Sequence, residues 1–132
     1  MAESSGKTLI ATRMMASVQQ QGGTCALLDF ENAFDPEFAK KLGLNPDDVL
    51  ISQPETLEQG CEILRALIKS DGVDLIVFDS VAAATPKASL DEEVGKATIG
   101  VVARILSPFL RELVGEANRH GVTCVFINQL VA

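Results

Sequence analysis

Glu3-Ser4-Ser5-Gly6-Lys7-Thr8 is the stretch on which the reading of the whole chain turns. Small residues let successive backbone N–H groups wrap an anion at a helix N-terminus. A lysine placed after them reaches terminal phosphates, and a Ser/Thr hydroxyl next to it ligates Mg²⁺. Ser4 to Thr8 supplies these parts in order, which predicts the back half of a nucleotide phosphate-binding loop opening a helix. Gly-Lys-Thr is a common tripeptide, so the prediction rests on what surrounds it.

Outward from that run, Ile10, Met14 and Val18 recur at helical spacing until Gly22-Gly23. A short apolar strand, Thr24 to Asp29, follows. Asp35-Pro36 predicts a short helix with aspartate at the N-cap and proline at its first position, stopped by Gly43. Val49 to Ser52 reads as a second strand. Thr56-Leu57-Glu58-Gln59 fits a capping box, and Leu57, Cys61, Leu64 and Ile68 line one face of the helix it opens, which Ser70-Asp71-Gly72 ends.

Asp74 to Asp79 is a continuous apolar run closed by an acid, as expected of a central strand buried on both faces. Asp91 to Thr98 reads as a polar loop. Ile99, Val102, Leu106, Leu113 and Ala117 then mark a long amphipathic helix ending near His120-Gly121, with a last strand over Val122 to Asn128. The alternation predicts an α/β fold, residues 1–132 as one domain, whose mostly parallel sheet is flanked by helices, and the Glu3–Thr8 run at its start makes that fold a P-loop NTPase core.

Composition narrows the function classes. An apolar fraction of 47% with 22% charge suits one hydrophobic core, and no stretch approaches the length that spans a bilayer. The first residues lack the apolar block of a secretory signal, so a cytoplasmic location is expected. Cys25, Cys61 and Cys124 are odd in number and far apart, which predicts buried reduced thiols rather than disulfides or a zinc site. A net charge of −7 disfavours partners recognised through a broad basic surface. His120, beside Gly121 at a helix C-terminus, meets the helix dipole and has no catalytic role.

Asp79 closes a strand where such folds place the carboxylate that orients the magnesium-bound water shell; the plainer reading is a strand-end cap. With Lys7 and Thr8 present, the metal role is the stronger of the two.

Six segments together resemble the RecA recombinase family: Glu3 to Thr8, Gly23 to Ala26, Asp29-Phe30-Glu31-Asn32-Ala33-Phe34-Asp35-Pro36, Leu50 to Pro54, Val77-Phe78-Asp79-Ser80-Val81-Ala82-Ala83, and Phe126 to Gln129. They occur in the family's order over practically the whole chain. The resemblance implies an ATP- and Mg²⁺-dependent DNA recombinase core serving DNA repair and the SOS response, acting on single-stranded DNA in a homo-oligomeric filament, with no membrane partner.

It further implies that Glu31 polarises the attacking water, where position alone suggests a solvated loop acid. Lys7 and the run Glu3, Ser4, Ser5, Gly6 and Thr8 would hold the phosphates. Asp35 and Phe38 would hold adenine, although Phe38 also reads as a core residue of a short helix. Gln129 would sense the γ-phosphate. Arg104, Ser107 and Arg111 would meet the DNA backbone, with Asp91 to Gly100 as a DNA-contacting loop. Arg104 and Arg111 share a helix face, which equally suits two solvated arginines.

Departures from the family pattern set a second expectation. Met1-Ala2 stand where the family has Gly-Pro, Leu9 replaces a second threonine, and Val131 stands where an arginine is usual. Pro108 predicts a kink in the long helix beside Arg104. The chain reads as a core truncated at both ends, which predicts marginal stability or aggregation. The alternative function is therefore a divergent nucleotide-binding module without hydrolysis or DNA binding.

Overall fold

The computed structural model describes residues 2–87 and 96–128, with side chains for 6–87 and 100–128. Four parallel strands, β1 (Cys25–Asp29), β2 (Val49–Ser52), β3 (Leu75–Asp79) and β4 (Thr123–Ile127), form one sheet in the order β2-β1-β3-β4. Residues α1 (Ala2–Gln20), α2 (Pro36–Lys41), α3 (Leu57–Lys69) and α4 (Lys96–His120) are helical.

Because side chains alternate across a strand, β1 and β3 each feed two cores. Cys25, Leu27, Leu75 and Val77 face Ala11, Met15 and Ala16 of α1. Ala26, Leu28, Ile76 and Phe78 face Leu57, Leu64 and Ile68 of α3 and Leu106, Phe109 and Leu113 of α4. The two inner strands are apolar on both faces because both faces are covered, as the uninterrupted hydrophobic runs predict.

The Asp35-Pro36 start is observed as read: Asp35 accepts from the backbone N–H of Glu37 and Phe38, and Gly43 takes φ +92° after the helix. Thr56 caps α3 by accepting from Gln59 N at 3.1 Å. The Gln59 side chain does not close the box on Thr56; it accepts from Glu55 N at 2.6 Å, one residue earlier. At the other end of α3, Asp71 rather than Gly72 adopts the left-handed conformation, φ +60°.

One expectation for α4 changes. Lys96 to Thr98, read as loop, belong to its first turn, while the rest of that polar segment, 91–95, lies outside the described residues. The helix also runs through Pro108 without ending. Pro108 and Arg104 are both on the exposed side, so the carbonyl that proline deprives of a donor can be solvated. Leu106, Phe109 and Leu113 meanwhile anchor the helix on either side of it. Arg65 of α3 bridges Glu112 at 2.9 Å and lies 5.2 Å from the Phe109 ring centroid, tying the two helices together outside the core.

All three cysteines are free thiols; Cys25 and Cys61 are buried and Cys124 is half-buried. Burial pushes the Cys25 and Cys61 thiols up to about 11, so neither is a nucleophile near neutral pH. His120 Nδ1 lies 2.6 Å from Asp71 Oδ1, with Nε2 3.7 Å from Glu116, which pins the end of α4 to the α3–β3 turn. Among the described residues no helix is long and apolar enough to cross a membrane.

Candidate functional site

The site forms at the carboxyl ends of β1 and β3, where Asp29 and Asp79 stand in register. The ladder runs one step further, Phe30 N donating to the Asp79 carbonyl at 2.7 Å, so the two chains leave the sheet side by side. In open parallel sheets, this is the end at which ligands bind.

Asp29 is only 2% exposed, yet its charge is well solvated by backbone. Its Oδ1 accepts from Glu31 N at 3.2 Å, and its Oδ2 accepts from Ala33 N at 3.1 Å and Phe34 N at 3.0 Å. Asn32 completes the hook with φ +53°, a conformation asparagine tolerates better than most residues. The result is a tight loop that carries Glu31 out and back and delivers Phe34, Asp35 and α2 to one wall of a cavity.

That cavity has a volume of about 730 Å³, within the range of small-molecule sites. Thr8, Glu31, Asp35, Phe38 and Asp79, five residues singled out from sequence, all line it. Met15, Leu27, Val77 and Ile127 supply an apolar floor. Phe38 is 38% exposed, so its ring stands at the rim rather than in the core. Asp35 uses Oδ1 for the α2 cap, so any ligand role falls to its other oxygen.

Asp79 is raised to about 6, first by burial, then by the nearby charges of Glu31 and Asp29. Three carboxylates converge on one sheet end, and burial together with this crowding of like charge falls on Asp79. Such a wall favours a cation.

Other expected residues stand differently. Glu3 to Gly6 continue α1 instead of forming a loop ahead of it, and Gly6 has no positive φ. Apart from Gly6, every residue of that run tolerates helix, and helical bonding satisfies backbone groups that a loop would leave for a ligand. The side chains of Glu3, Ser4 and Ser5 lie outside the described residues, as does Gln129. Lys7 Nζ donates to the Asn128 carbonyl just past β4, at the same sheet end but not in the cavity lining. Arg104, Ser107 and Arg111 are exposed on one stripe of α4, on the sheet face opposite α1 and apart from the cavity.

Sequence reasoning missed Asp29 and Ser80. Both lie inside quoted motifs, but only the tertiary fold shows that Asp29 builds the loop and that Ser80 Oγ donates to Glu31 Oε2 at 2.7 Å. It also missed Thr12, a buried hydroxyl of α1 in the cavity wall that donates to the Thr8 carbonyl at 2.7 Å.

A family model described as the RecA N-terminal domain matches residues 1–132. Among curated proteins, the chain is 52% identical over 128 residues to Protein RecA of Lactococcus lactis subsp. cremoris (strain MG1363), covering 97% of this chain and 33% of the relative. It is 51% identical to Protein RecA of Limosilactobacillus reuteri (strain DSM 20016), covering 97% of this chain and 35% of that relative. Protein RecA of Enterococcus gallinarum is likewise 51% identical, with 97% and 37% covered. The chain spans about a third of the length of these relatives.

Proposed function

The chain belongs to the RecA family, through its N-terminal domain, and from that premise we propose that it is the Mg-ATP-binding core of a DNA recombinase. The observation that carries the reading is the convergence of Thr8, Glu31, Asp35, Phe38 and Asp79 on one cavity at the carboxyl end of a parallel sheet. Residues from α1, the β1–α2 loop, α2 and β3 meet there, although they are far apart in sequence.

The donor chemistry fits Mg²⁺. This hard cation takes oxygen ligands, keeps several waters and shares its shell with substrate phosphates, so it needs one carboxylate and one hydroxyl rather than a full protein cage. Asp79 and Thr8 are such a pair, and a cation relieves the burial and repulsion that raise Asp79. When bound, Mg²⁺ supplies charge neutralisation at the phosphates.

The chain's own groups do the rest. The first-turn N–H groups of α1 and the Lys7 ammonium receive phosphate oxygens. Phe38 offers a face to the base, and Asp35 an acceptor. Glu31 orients the attacking water and takes its proton. Gln129 reports the γ-phosphate to the DNA-facing elements, and Arg104, Ser107 and Arg111 meet the DNA backbone. Filament formation and strand exchange belong to the complete protein.

ATP turnover measured with and without single-stranded DNA tests this. Turnover stimulated by DNA, lost in Lys7→Ala and in Glu31→Gln, supports the reading, and an Arg104→Ala/Arg111→Ala chain should lose the stimulation while keeping basal turnover. Turnover in Glu31→Gln equal to the parent sinks it.

One observation favours a second reading. Glu3 to Gly6 are helical, so the phosphate loop is not preformed. A nucleotide-binding module without hydrolysis would bind Mg-ATP, show no turnover and be indifferent to DNA.

A further inference from the structure

Ser80 follows Asp79, is fully buried, and stands at the N-cap position of the short 3₁₀ turn Val81–Ala83. A serine in that position ordinarily spends its hydroxyl on a backbone N–H of the turn. Ser80 makes no such bond. Its Oγ donates instead to Glu31 Oε2 at 2.7 Å, across from the neighbouring strand's loop.

The surroundings explain why such a donor matters. Glu31 shares the sheet end with Asp29 and Asp79, and like charges drive a flexible carboxylate away from the wall and into water. The Phe30-to-Asp79 ladder bond brings Glu31 and Ser80 out of the sheet together, so the hydroxyl is in place without any rearrangement. Asp29 fixes the backbone of Glu31 through its N–H, and Ser80 fixes the side chain. The carboxylate is thereby held at two levels.

We propose that Ser80 is a positioning residue for Glu31: its buried hydroxyl fixes the carboxylate at the cavity wall, aiming the base before substrate arrives. This rests on the reading of Glu31 as the group that acts on water. Pre-aimed groups contribute to rate because no orientation has to be acquired in the transition state.

The test compares steady-state ATP turnover in the parent chain, Ser80→Ala, Ser80→Thr, Glu31→Gln and the Ser80→Ala/Glu31→Gln double variant, with Mg-ATP and single-stranded DNA. Ser80→Ala is expected to lower kcat about tenfold, the scale of one hydrogen bond to a charged group, with KM within about twofold. Ser80→Thr, which keeps the hydroxyl, should recover most of the loss, and Ser80→Ala should add nothing in the Glu31→Gln background. A parent that turns over ATP alongside an unimpaired Ser80→Ala overturns the inference and leaves the functional reading standing.

A parent with no turnover counts against the functional reading, and the Ser80–Glu31 link is then read by ¹³C NMR of the glutamate side-chain carboxyls. Ser80→Ala should shift the Glu31 resonance while circular dichroism keeps the parent's melt. An unmoved resonance overturns the inference.

Discussion

Replacing Asp79 by asparagine is expected to stabilise the ligand-free chain near neutral pH and to abolish its response to Mg²⁺. Asp79 titrates at about 6 rather than 3.8, because of burial first and then the charges of Glu31 and Asp29. An acid raised on folding holds more protons folded than unfolded between those two values. Its contribution to stability therefore falls as pH rises from about 4 through about 6, and the full penalty is present above that. At about 1.4 kcal/mol per pH unit between the two values, the ceiling is about 3 kcal/mol. Asp79 borders an open cavity where water screens it, so about 1–2 kcal/mol is the realistic expectation. Urea denaturation of parent and Asp79→Asn, at about pH 4 and about pH 7.5, measures the difference directly. The variant should be nearly equal to the parent at the lower pH and more stable at the higher one. Millimolar Mg²⁺ should raise the parent's midpoint and leave the variant's unchanged. A variant less stable than the parent at the higher pH, or an identical gap at both, would refute the electrostatic account of this wall.

Gly60→Ala separates propensity from packing: alanine gains about 1 kcal/mol in a helix interior, but its Cβ would meet the Phe30 ring, which lies tilted against Phe78 with centroids 4.7 Å apart. The clash should win, with a net loss of about 1–2 kcal/mol by urea midpoint; a gain would mean that the ring has somewhere to go. Asp29→Ala orphans the N–H groups of Glu31, Ala33 and Phe34 and should cost about 2–4 kcal/mol. Amide exchange should accelerate at those three positions first, whereas uniform acceleration would deny the loop its dependence on this carboxylate.

What was legible in the sequence was local. Asp35-Pro36 states its own helix start, because one carboxylate and one fixed φ are sufficient cause. The run Asp74 to Asp79 announces a doubly covered strand, because parallel sheets leave no polar face. Lys96 to Thr98 misled because they end the polar run that begins at Asp91, and composition alone does not separate the close of a loop from the opening of a helix. Glu3 to Gly6 misled because a motif names what a backbone can do with a ligand, while intrahelical hydrogen bonds decide its shape in their own favour.

The site was half legible, and the missing half follows a rule. Asp79 could be singled out as an acid closing an apolar strand, and Glu31, Asp35 and Phe38 only through the motifs that resemble the family's. Asp29 and Ser80 could not, because each serves another residue rather than a ligand. Nothing local in the sequence ties Asp29 to its three N–H donors or the Ser80 hydroxyl to Glu31. Support of this kind is a matter of which strands lie side by side. The Asp29–Asp79 register therefore has the larger consequence, since it is what brings Ser80 to Glu31. A one-residue slip between β1 and β3 would keep every motif intact and separate that pair, with Asp29 and Asp79 turned to opposite faces. Because both faces of these strands are apolar, what opposes that slip is the fit of Leu27 and Val77 in one core and of Leu28 and Phe78 in the other. In this fold the packing of the two apolar cores thus sets the geometry of the polar site.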